Sequence, residues 1–432
     1  METGALTKDH SSSDHARKTA GDEGARSDTS WMAHAVDPDE RLDRLSSLLQ
    51  EATASARSHS VELYSRASAR ARVCVDGLDD APTVHVGFED GIAVRVAQVR
   101  QRCLGFAACA GTNRQALRWV VEQALRSSSR SSFAGWAEGR GHPLLDREPA
   151  PGLPAPSELS AWLDKALRAA ARTGVRVGSA WVEAALTTES IAADCGLLAS
   201  RERTRAWALA IVDGRPRSVG ARTIDSLDTL DWARSKREPL TGSGDRFPQG
   251  KRPVVFLPEA AASLVKALVR VLQATVNEPR PEIGRGWRVK DDPLDPRALV
   301  GGSFDDAGFP TAEKLLWDGR QAVGEIDGAG HFRRASYRDP PVPMATTLVL
   351  EASASGGEEP CVLVEFLRVH PLDPRTWVLE MSGRDTSGAP FQDAMLQVKP
   401  LDMLRRCAAT MGEPRWFPRG VVTPAILLES LR

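Results

Sequence analysis

Lys251 to Leu272, KRPVVFLPEAAASLVKALVRVL, is the stretch on which the reading of the fold turns. Val254 to Leu257 is a short apolar run of strand length, and Pro258 suits the first turn of a helix, where no backbone N–H is required. Glu259 follows at the positive helix start. Val265, Leu268, Val269 and Leu272 then recur at helical spacing and define a core face, while Lys266 and Arg270, four apart, define a polar one.

Outward from this stretch the chain changes character several times. Residues 1–36 are rich in Ser, Asp, Gly, Arg and Lys with almost no apolar periodicity, which predicts a disordered tail. Asp37, Pro38 and Glu40 supply an N-cap, a first-turn proline and a capping-box acid for a helix carrying Leu42, Leu45, Leu48 and Leu49. Short β-branched runs between Val61 and Ala108 predict a small antiparallel sheet, followed by a helix capped by Thr112 and Gln115, so that 37–126 form a helix-sheet-helix domain. Residues 127–156, with many Ser, Gly and Pro, read as a linker, and 157–248 as a middle α/β region opened by the helix of Leu159, Trp162, Leu163, Ala166 and Leu167. From 249 to 432 the chain is mainly β, with runs such as TTLVLEAS, CVLVEFLRV and TWVLEMSG and a helix around Leu401 to Met411.

With 432 residues and 42% hydrophobic content, the chain is long enough for two or three cores. Lys+Arg 56 against Asp+Glu 57 leaves a net charge of -1, which removes any global electrostatic reason to expect nucleic acid as a partner. Arginine greatly outnumbers lysine and alanine is abundant, a composition expected from a high-GC genome rather than from an arginine-built site. Cys74, Cys103, Cys109, Cys195, Cys361 and Cys407 are scattered without metal-ligand spacing and read as reduced, mostly buried thiols. No run approaches the roughly 20 apolar residues that span a bilayer, and no apolar signal region opens the chain, so a cytoplasmic protein without a membrane partner is expected.

Two segments carry candidate site chemistry. In Phe304 to Gly319, FDDAGFPTAEKLLWDG, Asp305 and Asp306 precede Gly308 and Pro310, a pattern for a tight turn whose carboxylates accept backbone hydrogen bonds. The alternative is a carboxylate pair facing a cavity. In Gly330 to Thr347, GHFRRASYRDPPVPMATT, the residues Arg333, Arg334, Tyr337 and Arg338 suit a solvated basic loop, with capture of a substrate carboxylate or backbone edge as the alternative. His331 and His370 stand 39 positions apart and form no helical ligand pair. The sequence contains no GxSxG elbow, phosphate loop or HExxH.

These segments, together with GIAVRV followed by LGFAA, ESIAADCGLLASRERT, the Pro258 helix and the closing Pro418-Arg419-Gly420 and Thr423-Pro424-Ala425, resemble the TldD/PmbA family of peptidase subunits. In the active TldD type, a His-Glu-x-x-x-His motif beginning eight residues after the proline supplies metal ligands and a general base. Here those positions hold Lys266, Ala267 and Val271. An ammonium is a poor zinc ligand at neutral pH, and alanine and valine offer no lone pair. The family's C-terminal cysteine ligand is also missing from Met411 to Leu428, with Cys407 upstream in the expected helix.

The chain is therefore most similar to the TldE (PmbA) type, which lacks the metal motif. The resemblance implies an α+β fold with an N-terminal α/β unit and a larger β-rich C-terminal domain. It also implies a heterodimer with a TldD-type subunit holding the zinc, this chain binding no metal or other cofactor. Short or unfolded peptides, or a peptide-like natural-product precursor, would be cleaved in a shared cavity. Asp305, Asp306, Gly308, Arg333, Arg334 and Tyr337 are the residues expected at that cavity. A stand-alone hydrolase with an unrecognised site, or a binding or scaffold protein derived from the family, are the alternatives.

Overall fold

The structure, a computed structural model, describes residues 37–77, 80–131, 135–139, 142–147, 152–212, 215–227, 247–248, 252–274, 287–318, 323–324, 326, 328–352, 362–373, 375–417, 420–429 and 431. The expected tail, 1–36, lies outside the described residues, as does most of the loop between Glu238 and Lys251. In chain order the helices are α1 (Pro38–Ala56), α2 (Arg114–Arg126), α3 (Pro156–Arg172), α4 (Pro258–Ala274) and α5 (Pro400–Arg405). The first strands are β1 (Ser60–Val75), β2 (Thr83–Gln98), β3 (Cys103–Ala110), β4 (Ser129–Arg130), β5 (Leu144–Arg147), β6 (Val177–Ala193), β7 (Leu197–Val212) and β8 (Arg215–Ala221). Then come β9 (Val254–Phe256), β10 (Trp287–Asp291), β11 (Lys314–Trp317), β12 (Phe332–Arg333), β13 (Val342–Pro343) and β14 (Leu348–Ala352). The last are β15 (Val362–Asp373), β16 (Thr376–Arg384), β17 (Pro390–Val398), β18 (Cys407–Phe417) and β19 (Val421–Leu428).

Among these residues, one sheet runs β4-β3-β2-β1-β6-β7-β5 with β8 on β7, and a second runs β11-β10-β14-β19-β9-β15-β16-β17 with β18 on β19. The alternation of β1 explains how the first sheet is used. Val61 and Leu63 pack with Leu45 and Leu48 of α1 and Leu117 and Val120 of α2, and Ala71 and Val73 pack with Leu159 and Leu163 of α3. Side chains two apart share a face, so Glu62, Tyr64, Arg66 and Arg72 fall on the opposite one. There Tyr64 packs with Phe304 and Tyr337 from the C-terminal half of the chain. In the second sheet, β9 lies between β15 and β19, and α4 packs Val265, Leu268 and Val269 with Phe256, Trp377 and Leu379.

The helix-sheet-helix domain and the middle region, read apart in the sequence, share one sheet, because β1 pairs with β6 from Glu62 opposite Ala193 to Val75 opposite Ala180. The stretch read as a linker contributes β4 and β5 to that sheet. Asp37 caps α1 as expected, accepting from the backbone N–H groups of Asp39 and Glu40. The cap of α2 is Asn113 rather than Thr112, accepting from the Ala116 N–H at 2.8 Å. The helix expected to reach Met411 ends at Arg405, and Cys407 begins a strand on β19. Pairing with a buried neighbour strand outweighs the modest helical preference of the CAATM segment. Among the described residues no helix is long and apolar enough to cross a membrane.

Candidate functional site

The polar face of the first sheet is a ladder of charges set by strand register. Arg66 of β1 lies opposite Glu189 of β6, which lies opposite Arg201 of β7. Two residues along, Ser68, Thr187 and Arg203 line up; then come Arg70, Ala185 and Arg205, and then Arg72, Glu183 and Trp207. Directly opposed residues share a face, so the arginines of SRASARAR and RERTRAW, attributed above to composition, are gathered on one surface.

Only some rungs contain an acid. The carboxylate of Glu189 accepts from Arg201 Nε at 2.5 Å and from the Tyr64 hydroxyl at 2.7 Å, with Arg66 at 3.8 Å. Burial alone would raise its pKa, but Arg201, Arg66 and the Tyr64 hydroxyl hold it well below the usual carboxylate range. Arg72 Nε donates to Glu183 at 2.5 Å and its guanidinium stacks 4.6 Å from the centre of the Trp181 ring.

Residues 304–309 and 334–337 dock on this face. Asp305 is the anchor of a turn: its carboxylate accepts from the N–H groups of Ala307 and Phe309, each at 2.9 Å, and of Phe332 at 3.0 Å. Burial pushes its pKa up against the pull of those three donors. Gly308, at φ 82°, occupies the left-handed region in that turn, and a Cβ there would overlap Leu197. Asp306 pairs with Arg201 and accepts from the Arg334 N–H at 2.6 Å. Arg334 reaches Glu62 at 3.2 Å, donates to the Asp339 carbonyl at 2.9 Å and lies 4.4 Å from the centre of the Tyr64 ring. Glu62 is also held by both arms of Arg95. Burial first, then Arg95, lowers Arg334 to about 10 against the pull of Glu62. Tyr337, 1% exposed, covers Gly91, where any Cβ would overlap its ring.

Within the loop expected to be solvated, Arg333, Arg334 and Tyr337 are buried, whereas Arg338 and the Asp339–Met344 stretch are mostly exposed. Arg333 differs from Arg334 in its partners: its guanidinium donates to Thr346 Oγ1 and to the Phe332 carbonyl, both neutral acceptors.

A cleft of about 590 Å³ lies between this face and α4. Asp306, Arg333 and Arg334 line it, whereas Asp305, Gly308 and Tyr337 lie outside its lining. Lys266 and Arg270 close it from α4, and the same two residues line an adjoining cavity of about 670 Å³ together with Ala267, Trp181, Trp207 and Phe366. The turn of α4 at which the resemblance places a metal ligand and base thus faces open space. Its side chains there do not fit a zinc ion: an ammonium and a methyl group present no donor. Among the described residues no group of three or more His, Cys, Asp and Glu side chains converges to hold a metal. His331 instead sits 2.7 Å from Asp291, whose other oxygen accepts from the N–H groups of Thr346 and Thr347. His370 contacts Glu380 at 2.9 Å.

No protein-family model matches the chain, and no curated protein matches it by sequence. Solved structures do. TldE from Thermococcus kodakarensis superposes with a TM-score of 0.74 over 90% of this chain and 99% of its own, at 16% identity. The chain has the TldE fold. A protein described as a candidate modulator of a DNA gyrase from Thermotoga maritima gives a TM-score of 0.68 at 18% identity, covering 89% of this chain and 99% of that one. One so described from Bacteroides thetaiotaomicron gives 0.67 at 14% identity, covering 89% and 97%. The α+β class with a large β-rich region is that of the TldE fold.

What sequence reasoning missed in the TldE-like chain is the ladder itself. The signal was available: Arg201, Arg203 and Arg205 alternate, as do Arg66, Ser68, Arg70 and Arg72, which is the strand period.

Proposed function

We propose that this chain is a non-catalytic TldE-like subunit of a TldD/TldE-type metallopeptidase, pairing with a TldD-type subunit that holds the zinc. The observation that carries the reading is the placement of Lys266 and Ala267 on the cavity-lining side of α4. A helix framed like a zinc helix points a cation and a methyl group, rather than ligands, into open space. The TldE fold over 90% of the chain supports the same assignment. In this reading the chain contributes walls and confinement, and the partner contributes the chemistry.

The test is co-expression with a TldD-type protein from the same organism that carries His-Glu-x-x-x-His. The expected result is a stable complex with peptidase activity and zinc in the partner. Its interface should bury more than about 2,000 Å², where obligate interfaces begin. Peptidase activity of this chain alone would favour a stand-alone hydrolase. Failure to form a complex, with neither chain activating the other, would leave a scaffold or binding role.

A further inference from the structure

The cavity beside α4 is bordered by a strand that runs out of partners. β9 pairs with β15 only from Val362 to Val364, and the Leu257 N–H closes that ladder on the Val364 carbonyl at 2.9 Å before Pro258 turns the chain into α4. β16 follows the other edge of β15 as far as Asp373. Among the described residues, no strand pairs with the β9 edge beyond Val364. A register shift between Val364 and Phe366 puts a bulge at Glu365, where that free edge begins.

The free edge faces the cavity of about 670 Å³. Glu365, Phe366, Leu367, Arg368 and Val369 all line it. Side chains of a strand alternate between two faces, so five successive residues reach one cavity when the backbone edge is turned toward it. Such an edge carries unpaired N–H and C=O groups and is a template for a further strand.

Apolar side chains supply much of the cavity wall. Trp181, Trp207, Leu209, Phe366, Val369 and Phe417 are each half-buried there. The two indoles are set edge to face with ring centres 6.2 Å apart, and Arg72 and Arg205 stack on them at 4.6 and 4.7 Å. From α4 comes Ala267, whose methyl group leaves room between the helix and these rings. The acids of the cavity are answered within the chain: Arg217 pairs with Glu259 and Glu365, and Arg384 also reaches Glu365. With its acids paired in this way, the cavity recognises a ligand through its rings and its strand edge, and its volume is that of a ligand pocket.

We infer that this chain binds an extended peptide as a strand added to the free edge of β15, with one aromatic side chain of that peptide held among Trp181, Trp207 and Phe366. Main-chain hydrogen bonds would give affinity for any extended chain, and the rings would select a bulky apolar residue at one position. A small apolar molecule would fill the space between the rings and leave the strand edge bare. The inference rests on the reading above only in taking the occupant to be a peptide, and the site lies within this chain.

The test uses the full chain alone and fluorescence anisotropy with a labelled nine-residue peptide of Thr and Ser carrying one central Phe. Versions with Ala in place of Phe, and with alternate backbone amides N-methylated in two complementary sets, are the comparison probes. The Phe peptide is expected to bind about tenfold tighter than the Ala peptide, the worth of burying one such side chain. In an added strand only alternate N–H groups face the edge, so one methylated set should weaken binding about fivefold and the other should leave it within about twofold. Trp207→Ala should bring the Phe and Ala peptides to nearly equal affinity. Phe366→Ala should do the same from the β15 side, with the melting curves of both variants checked for intact folding. Trp119→Ala, on α2 and 51% exposed, removes an indole elsewhere and should leave affinity unchanged.

Equal affinity for the Phe and Ala peptides would overturn the inference. Equal effects of the two methylated sets would do so too, because the rings would then act without the strand edge, as would loss of binding in the Trp119 variant. Failure to form a complex with a TldD-type protein would leave this result standing, and absent peptide binding would leave that one standing.

Discussion

The two charged regions on the polar face of the first sheet are built from the same residue types and differ in their accounting. Where residues 304–309 and 334–337 dock, Arg201 is met by Glu189 and Asp306, and Arg334 and Arg95 by Glu62. Two ladder rungs further, Arg205 faces Ala185, and α4 brings Lys266 and Arg270 to the same cleft. Matched charges, buried with good geometry, fix how one part of the chain sits on another. In the second region Arg205 has no carboxylate in its own rung and stacks on Trp207, so its charge fixes less of the fold. The comparison predicts that truncating a side chain in the first region lowers stability more than truncating one in the second.

The largest effect should come from breaking a matched cluster from one side. Arg201→Met leaves Glu189 and Asp306 buried with their shared cation gone, and a loss of about 3–5 kcal/mol is expected by urea unfolding. A loss below about 1 kcal/mol would show that the cluster relaxes or is hydrated, and would erase the contrast. The same cluster sets an acid limit. The folded-state pKa of Glu189 lies below its ordinary value of 4.5, so its stabilisation is fully present above that pH and fades as pH falls beneath it. Stability measured between pH 6 and pH 3 should fall less steeply in Glu189→Gln than in the parent chain.

A smaller effect is expected where packing rather than charge joins the halves. Gly91→Ala pushes a methyl group into the ring of Tyr337 and should cost about 1–3 kcal/mol. Tyr337→Ala is destabilising by itself, but in that background the added methyl at position 91 should cost almost nothing. Additive losses in the double variant would mean that the ring does not sit over Gly91.

Much of this was legible from residues, and what was not has a physical reason. The capping of α1 by Asp37, the stripe of Leu42, Leu45 and Leu48, and the turn anchored by Asp305 depend on neighbours a few positions away. The core face of α4 was legible for the same reason. The pairing of β1 with β6 joins residues more than a hundred positions apart, so the shared sheet could not be read from local pattern. Cys407 was placed in a helix because β19, which pairs with its strand, is invisible to propensity. Arg333 and Arg334 read as a solvated pair because Thr346, Glu62 and Asp306 reach them only through tertiary folding. The cleft itself needs three separate stretches: the ladder of β1, β6 and β7, the segment after Phe304, and α4. The segment after Phe304 and α4 were each visible in the sequence, but their meeting with the ladder was not.

The smallest effect is the most discriminating. If Lys266 and Arg270 contribute little to the fold, Lys266→Gln with Arg270→Gln should change stability by no more than about 0.5 kcal/mol. The direction should be neutral or slightly stabilising, because a like-charge pair at i, i+4 is relieved and glutamine keeps the helical preference of lysine and arginine. Raising NaCl should narrow even that small gain, since salt already screens the repulsion that the substitutions remove. Urea unfolding of parent and variant at 50 and 300 mM NaCl measures both quantities. A loss greater than about 1 kcal/mol at either salt would mean that these cations hold α4 in place. The second region would then be structural like the first, and the contrast between the two regions would vanish.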